Sequence, residues 1–401
     1  MLYFHRNNKA KRFDVIISHI SCCDGNTACA IAHEFLNKGV VLPHGMFNLK
    51  KSHDNEIHTS NGAMEMMKCY PNLVPIVFQH HGTPIDKDLI KNRNILIMDL
   101  DVGPSNIKLL DENCKSAVIL DHHGDAQLTT LKEFIPGLTI EKLNSGINEK
   151  ILSKKINLII KSSKDYSAAN LAWMYFHPGV QVPLFVDVVR IRDTWSWETI
   201  DKYDVRSFVE GLEYVSAFDT FKTINIFIKE CTIGSSLFED IIKQGRIVWG
   251  FKTKIIETSA HKTTLGYIKA KPNGVVQMFN VLYTSTTIFT SDIGDRMRTL
   301  NEKYWNERGV TIHFTAVWKY IPPTPKKDGI VVVCLRSPFP GLQLGLIANT
   351  ICDYPICSGN GHTEAASFSF FGIDNFHKIF LKSNSTPPPS PESIFSDILT
   401  D

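Results

Sequence analysis

Short apolar runs alternate with helical patterns through the first half of the chain, and each run ends in a polar turn. Residues 13–20, 94–99 and 117–120 contain such runs. Apolar runs of about four to six residues bounded by polar turns are typical of buried strands in a parallel sheet. Between the runs, residues 24–37 and 103–113 have the apolar spacing of helices. The alternation predicts an α/β fold with a doubly wound, mostly parallel N-terminal sheet.

The second half of the chain has a different pattern. From residue 204 to 258 the apolar spacing is helical, which predicts a helical connector. A smaller mixed α/β C-terminal domain should follow, with elements at 264–270, 275–282, 311–318, 330–335, 342–351 (a helix) and 365–371. The tail is rich in Pro and Ser and cannot pack a core, so we expect it to be disordered. The predicted divisions are 1–203, 204–258, 259–382 and 383–401.

Side chains suited to metal chemistry follow the ends of the predicted strands. The run at 117–120 leads into Asp121, His122 and His123, and the other two runs end in His19 and Asp99. The carboxyl ends of parallel strands meet at one edge of a sheet, where ligands gather. Carboxylate and imidazole are ligands for divalent metals. Taken alone, each motif is equally consistent with a polar turn at the surface.

Together these motifs resemble those of the DHH phosphoesterases, the superfamily of RecJ-type exonucleases, nano-RNases and cyclic-dinucleotide phosphodiesterases. A second signature, Ser-Gly-Asn-Gly-His-Thr-Glu at 358–364, resembles the Gly-Gly-Gly-His motif of the DHH-associated substrate domain. The ordered motifs extend from residue 18 to residue 371. The resemblance therefore covers nearly the whole chain.

The resemblance implies two divalent metal ions, with manganese as the expected metal. By motif it places His19 at the first ion and Asp99 at a bridging position, and Asp24, His122 and Asp193 at the second ion. It implies further that Asp121 orients a ligand imidazole and that His123 contacts the phosphate or the leaving group. For His123 the alternative is a loop histidine with a structural partner.

Motif one departs from the pattern of many family members, which is His-x-x-x-Asp-x-Asp. Here Cys22 occupies the slot of the first aspartate. A thiolate prefers softer ions than manganese. Three outcomes stay open: a weak first site, a first site that accepts zinc or iron, or a water in place of the lost ligand.

For the C-terminal domain the resemblance implies a substrate-binding role. Its predicted residues are Arg336, Ser337, Gly359, Asn360, Gly361 and His362. Glycines let backbone N–H groups approach a phosphate, and arginine binds one with two hydrogen bonds. Asn360 stands in place of the middle glycine of the motif. The alternative is an ordinary glycine turn before an edge strand.

Several polar and aromatic residues near the motifs have structural interpretations. Asp24 occupies a position typical of a helix N-cap. His80 and His81 follow another predicted strand, but the family pattern has no metal ligand there, so we expect the rim of the site or an exposed loop. Trp195 and Trp197 are predicted to pack rather than to stack on a substrate.

Composition narrows the class of partner. The 401 residues contain 43% hydrophobic and 21% charged residues, with a net charge of +2. A protein that binds many phosphates along a nucleic acid has a marked basic excess, so we expect a short oligonucleotide or dinucleotide as substrate and no extended nucleic-acid binding. No apolar run is long enough for a membrane span.

Nine cysteines without framework spacing suit a reducing, cytoplasmic location. The oligomeric state is open, with a homodimer as one alternative.

We therefore expect a metal-dependent phosphodiesterase that hydrolyses short oligonucleotides or (cyclic) dinucleotides to nucleoside monophosphates. One alternative is a single-strand exonuclease that acts on longer nucleic acid. Another is a catalytically degenerate protein that binds nucleotides without turnover, for which Cys22 and Asn360 are the evidence.

Overall fold

The chain forms two compact units, Met1–Trp249 and Gly250–Asp401. The computed structural model describes residues 13–19, 22–38, 59–81, 83–123, 131–134, 148–151, 155–160, 165–197, 204–272, 274–324, 328–337, 342–351, 358–361 and 365–382. The predicted disordered tail, 383–401, lies outside these ranges, as do Gly124 and His362.

The first unit is built on a six-stranded sheet. Its strands are β1 (Val15–His19), β2 (Ile76–Gln79), β3 (Asn94–Met98), β4 (Ser116–Asp121), β5 (Asn148–Ile151) and β6 (Ile156–Ile160). Their order is β2-β1-β3-β4-β6-β5, and all neighbours pair in parallel except the edge strand β5. The predicted α/β class and the mostly parallel sheet are confirmed.

Helices cover both faces of this sheet. The helices of the first unit are α1 (Cys23–Leu36), α2 (Ser60–Cys69), α3 (Lys87–Ile90), α4 (Gly103–Asn113), α5 (Ala168–Phe176), α6 (Leu184–Asp193), α7 (Val205–Tyr214), α8 (Phe221–Glu230) and α9 (Ser236–Ala260), which continues into the second unit. Alternate strand residues point to opposite faces. Ile16 lies in the core cluster with α1, α5 and α6, whereas Val15 and Ile17 lie in the cluster with α2, α3 and α4.

Helices α7, α8 and the first half of α9 contribute to the core of the first unit. Their residues Phe208, Ile224 and Ile241 are buried there. Helices α7 and α9 come into backbone contact, because a Cβ atom added to Gly245 would lie 1.6 Å from the carbonyl oxygen of Ser207. The predicted helical character of 204–258 is present, while the predicted division into domains stays a prediction.

The second unit contains a seven-stranded mixed sheet. Its strands are β7 (Thr264–Ala270), β8 (Gln277–Ser285), β9 (Phe314–Ile321), β10 (Ile330–Arg336), β11 (Ser358–Gly361), β12 (Ala365–Phe371) and β13 (Leu381–Lys382), in the order β11-β12-β10-β9-β8-β7-β13. The pairings are antiparallel except β8 with β9. Its helices are α10 (Thr290–Asn306), α11 (Leu344–Asn349) and α12 (Phe376–Ile379). In the described part of the chain, no helix has both the length and the hydropathy to cross a bilayer.

Candidate metal centre

The centre forms at the carboxyl edge of the first sheet because three neighbouring strands end there together. Ser18 pairs with Met98, and Met98 pairs with Leu120. The next residues along these strands are therefore brought to the same edge. They are His19 after β1, Asp99 after β3, and the Asp121-His122-His123 motif at the end of β4.

The ligand atoms fall into three groups, in each of which all atoms lie within 4.8 Å of one another. One group is His19, Cys22 and Asp99; a second is Asp99, His122 and His123; the third is Asp24, His122 and Asp193. All six residues predicted as metal ligands are therefore brought together. Asp193 arrives from outside the sheet, as the last residue of α6.

His122 lies at the middle of the carboxylates. Its Nε2 atom is 3.1 Å from Asp193 Oδ2, 3.4 Å from Asp99 Oδ1 and 3.7 Å from Asp24 Oδ2. None of these contacts has hydrogen-bond geometry, and Nε2 is buried. Asp99 Oδ2 and Ser18 Oγ are likewise buried without a hydrogen-bond partner in the described structure. Buried polar atoms normally have partners, so these atoms fit a site that binds a cation.

Asp24 is held by the amino end of α5. The backbone N–H groups of Ala168 and Ala169 donate to its two carboxylate oxygens, at 2.6 and 2.9 Å. Asp24 is not the N-cap of its own helix, because α1 begins at Cys23 and Cys22 occupies the cap position. The capping interpretation is thus corrected: the carboxylate satisfies amides of a different helix, 144 residues further along the chain.

Several carboxyl groups are buried close together at the centre. Burial, together with the charges of Asp99 and Asp193, raises the pKa of Asp24 to about 8. Burial alone would raise the pKa of Asp99 as well, but the imidazoles of His122, His123 and His19 lower it to about 2. Carboxylates this close cannot all ionise without added positive charge. The donor set, with its unpaired buried atoms, therefore fits divalent cations.

Gly25 has no side chain, and this lets Asp99 and the backbone of His19 lie close to it. A Cβ atom added to Gly25 would lie 2.9 Å from Asp99 Oδ2 and 3.1 Å from the carbonyl oxygen of His19. Asp99 itself has a φ of 54°, a left-handed conformation that is uncommon for residues other than glycine. Strained backbone of this kind persists where the surrounding structure fixes it, often at functional sites.

The Asp-His-His motif contributes an oriented imidazole as well as a ligand. Asp121 is fully buried, and its Oδ1 atom accepts a hydrogen bond from Nδ1 of His123 at 2.7 Å. Burial raises the pKa of Asp121, but the neighbouring His123 outweighs it, and the pKa is lowered. The ionised carboxylate therefore fixes the ring of His123, with Nδ1 as the donor.

Comparison with known proteins gives a distant likeness. No protein-family model matches the chain. An uncharacterized protein of Acanthamoeba polyphaga mimivirus is 23% identical over 287 residues, which are 71% of this chain and 55% of that protein. The chain thus spans about half the length of the curated relative it matches.

One solved structure similar to this chain is the DHH domain of a member of the s1p family of ribosomal proteins. The two chains are 12% identical, with a TM-score of 0.49. The match covers 90% of this chain and 83% of the solved chain. The exonuclease RecJ bound to manganese is 10% identical with a TM-score of 0.38, covering 91% and 87%. RecJ of Thermus thermophilus in complex with Mn²⁺ is 11% identical with a TM-score of 0.41, covering 91% and 50%. The chain is similar to DHH-domain proteins.

The cysteine that departs from the usual DHH pattern lies within the centre. Cys22 Sγ is 3.9 Å from Asp193 Oδ1, and it belongs to the group with His19 and Asp99. A hydrogen bond with Cys23, burial and the nearby carboxylates raise the pKa of Cys22 well above its usual value. Without a cation, Cys22 is therefore a thiol, and a metal held by this sulfur would displace its proton.

His81 is a member of the centre that the sequence analysis missed. Its ring lies 4.0 Å from that of His19 and 5.0 Å from that of His123, between centroids. Burial and the two neighbouring histidines lower the pKa of His81 to about 4. Of the two expected placements, the rim of the site fits the half-buried His81 and an exposed loop fits His80. The sequence does not reveal that β2 lies beside β1. In the structure His19 pairs with Gln79, and this brings His81, two residues later, beside His19.

In the second unit, Arg336 ends β10 and is half-buried. Its Nη1 and Nη2 atoms donate to the carbonyl oxygen of Leu335 at 2.6 Å and to Ser291 Oγ at 2.5 Å. Within the described part of the chain it forms no salt bridge with a carboxylate. Burial lowers the pKa of Arg336. Ser337 Oγ donates to the carbonyl oxygen of His313.

The segment 358–361, which resembles the glycine signature of the DHH-associated domain, forms a strand rather than a turn. Gly359, Asn360 and Gly361 belong to β11 and pair with Phe368, Ser367 and Ala366 of β12. The alternative of a glycine turn is therefore wrong at these positions. The segment is an edge strand that pairs with β12 along one side. Arg336 of β10 pairs with Ala365 of β12, and Gly361 of β11 pairs with the next residue, Ala366. Arg336 and Gly361 therefore lie on opposite sides of the same end of β12.

Proposed function

We propose that the chain is a DHH-type, metal-dependent phosphoesterase that hydrolyses short oligonucleotides or dinucleotides to nucleoside monophosphates. The observation that carries this proposal is the arrangement of the ligand groups. The groups His19–Cys22–Asp99 and Asp24–His122–Asp193 have no member in common, yet Asp99 Oδ1 lies 3.4 Å from His122 Nε2. Two adjacent cation positions that share Asp99 account for both groups.

When bound, two divalent ions at such positions activate a water and neutralise charge at phosphorus. The carboxylates of Asp24, Asp99 and Asp193 offset three of the four positive charges, and the ions can still attract a phosphate oxygen. The two amide hydrogen bonds to Asp24 and the buried backbone around Asp99 hold these ligands in fixed positions. Fixed ligands need no rearrangement during the reaction.

His123 is the proposed contact to the phosphate or to the leaving group. Its Nδ1 atom is committed to Asp121, so in this proposal the contact with the substrate is made through the opposite nitrogen, Nε2. Asp121 acts as a positioning residue through this hydrogen bond. Because the two rings are adjacent, with centroids 4.3 Å apart, His123 faces the same region as His122.

The metal at the first position should depend on Cys22. We expect Cys22→Asp to shift the preference toward Mn²⁺ by at least about tenfold, because a hard carboxylate replaces a soft thiol. Activity is measured with Mn²⁺, Zn²⁺ and Fe²⁺ for both proteins. Cys69→Asp makes the same change at an exposed cysteine and serves as the control. An unchanged preference in Cys22→Asp would mean that Cys22 does not contact a metal.

The second unit is the proposed source of substrate affinity, through Arg336, Ser337 and the segment 359–362. Arg336 supports this role because its guanidinium is half-buried and has no carboxylate partner among the described residues. Asp292 and Asp295 attract the guanidinium but form no salt bridge with it, so its N–H groups can donate to an anionic ligand. The near-neutral charge of the chain, +2, favours a short ligand over a long strand.

We expect Arg336→Ala to raise KM for a dinucleotide about tenfold or more, because a charge-assisted hydrogen bond is lost. The metal content should not change. Arg298→Ala is the matched control, because that guanidinium is already paired with Asp295 at 3.0 Å. A KM equal to that of the unaltered protein would remove Arg336 from the substrate site.

Substrate length tests the proposal against its main rival. We would measure kcat/KM for oligonucleotides from two to about twenty residues, a range longer than single compact binding sites cover. The proposal predicts the highest efficiency for the shortest substrates. Efficiency that rises with length would instead support an exonuclease that acts on longer strands.

A further inference from the structure

His81 is a fixed histidine at the centre that is not needed as a metal ligand. It follows β2, the strand next to β1, and the pairing of His19 with Gln79 brings the loop after Gln79 beside the end of β1. The centroid of the His81 ring consequently lies 4.0 Å from the ring centroid of His19 and 5.0 Å from that of His123. It therefore lines the same region as the two proposed functional imidazoles.

The tautomer of His81 is set by the backbone. The N–H group of Asp101, in the loop between β3 and α4, donates to Nδ1 of His81 at 3.1 Å. Nδ1 is therefore an acceptor, and the proton of the neutral ring lies on Nε2. Neither nitrogen then offers a lone pair to a metal, which agrees with the absence of His81 from the ligand groups found among the described residues.

Among the described residues, Nε2 of His81 has no hydrogen-bond partner. The contacts of His81 in the described structure are the hydrogen bond to Nδ1 and the two ring contacts, and none of them engages Nε2. A fixed N–H donor beside a cation centre is suited to an anionic oxygen. The alternative is that the ring serves only to pack against His19.

We propose that His81 is a phosphate-binding residue, whose Nε2–H donates a hydrogen bond to a non-bridging oxygen of the substrate phosphate. This inference rests on the proposed function, because it assumes that a phosphate binds at the metal centre. It gives the three imidazoles different tasks: His19 binds a metal, His123 contacts the reacting group, and His81 holds the phosphate.

Two substitutions of His81 distinguish hydrogen-bond donation by Nε2–H from packing of the ring against His19. His81→Phe keeps a flat ring against His19 and removes the donor. His81→Gln removes the ring and can restore an N–H donor near the position of Nε2. A packing role predicts that Phe is tolerated better than Gln, and the proposed role predicts the opposite order. His80→Phe makes the same change at the exposed neighbour and is the control.

The readout is binding of inorganic phosphate to the manganese-loaded full chain, measured by titration calorimetry, with bound manganese measured by elemental analysis. We expect His81→Phe to weaken phosphate binding roughly tenfold or more and His81→Gln to restore most of it, with the manganese content unchanged in both. For hydrolysis we expect kcat/KM of His81→Phe to fall about a hundredfold. His80→Phe should match the unaltered protein.

Two results would overturn the inference. One is a phosphate affinity of His81→Phe within about twofold of that of the unaltered protein. The other is a loss of bound manganese as large as the loss of phosphate binding. If His81→Phe does not fold, His81→Asn replaces it, because Asn keeps an acceptor for Asp101 N–H but does not reach the position of Nε2. Failure of the proposed function would look different. The unaltered protein would then bind manganese and phosphate but hydrolyse none of the nucleotides.

Discussion

Replacing Asp99 by Asn is expected to lower turnover by more than the roughly hundredfold that loss of an outer-shell partner costs a metal enzyme. Asp99 belongs to two of the three ligand groups, and its buried carboxylate is the one that the two proposed cation positions share. Asn has nearly the same shape but carries no charge, so both positions should lose affinity at once. The measurement is kcat with saturating Mn²⁺, together with the number of manganese ions bound per chain.

The control for this substitution is Asp111→Asn, which makes the same change at an exposed residue of α4. Circular dichroism and thermal unfolding establish that the Asp99→Asn variant is folded. A folded variant that keeps near-normal turnover in manganese-replete buffer would contradict a shared carboxylate at the centre. Full metal content with lost turnover would keep Asp99 at the site but remove it from the ligands.

Asp24→Ala is expected to lower the free energy of unfolding by about 2–4 kcal/mol in the absence of metal. The carboxylate accepts from two buried backbone N–H groups at the start of α5, and alanine leaves both without an acceptor. Relief of repulsion from Asp99 and Asp193 opposes this loss. We expect the lost hydrogen bonds to be the larger effect, because the N–H groups of Ala168 and Ala169 stay buried when their acceptor is removed.

Chemical denaturation with EDTA, and then with excess Mn²⁺, separates the two roles of Asp24. Ser167→Ala is the matched variant, because Ser167 is the N-cap of the same helix and lies outside the ligand groups found among the described residues. It should cost about 1 kcal/mol and keep the stabilisation that bound metal gives. Asp24→Ala should lose that stabilisation. Equal stability of Asp24→Ala and the unaltered protein in EDTA would mean that the amide hydrogen bonds contribute nothing.

The strands of the first sheet could be predicted because burial on both faces leaves a strong pattern. Ile95, Leu96 and Ile97 are all fully buried, so the run has no polar interruption until Asp99. The same pattern places His19, Asp99 and the Asp-His-His motif at strand ends, and the structure brings them together. The order of the strands converts these separate positions into one centre.

Other features depend on long-range pairing that no local pattern records. His81 reaches the centre only because β2 lies beside β1, and a sequence pattern alone does not contain that order. The segment Ser358–Gly361 has the composition of a turn, yet pairing with β12 makes it a strand. Helix α10 (Thr290–Asn306) is largely polar, so its apolar spacing is weak, although Ile293 and Met297 are buried.

The most direct test of the account is product analysis after incubation of the full chain with Mn²⁺ and a panel of linear and cyclic dinucleotides. We expect nucleoside monophosphates from at least one member of the panel, with activity that EDTA abolishes and added Mn²⁺ restores. The contradicting result is a folded chain that binds manganese at the centre and yet releases no product from any dinucleotide or from longer RNA and DNA.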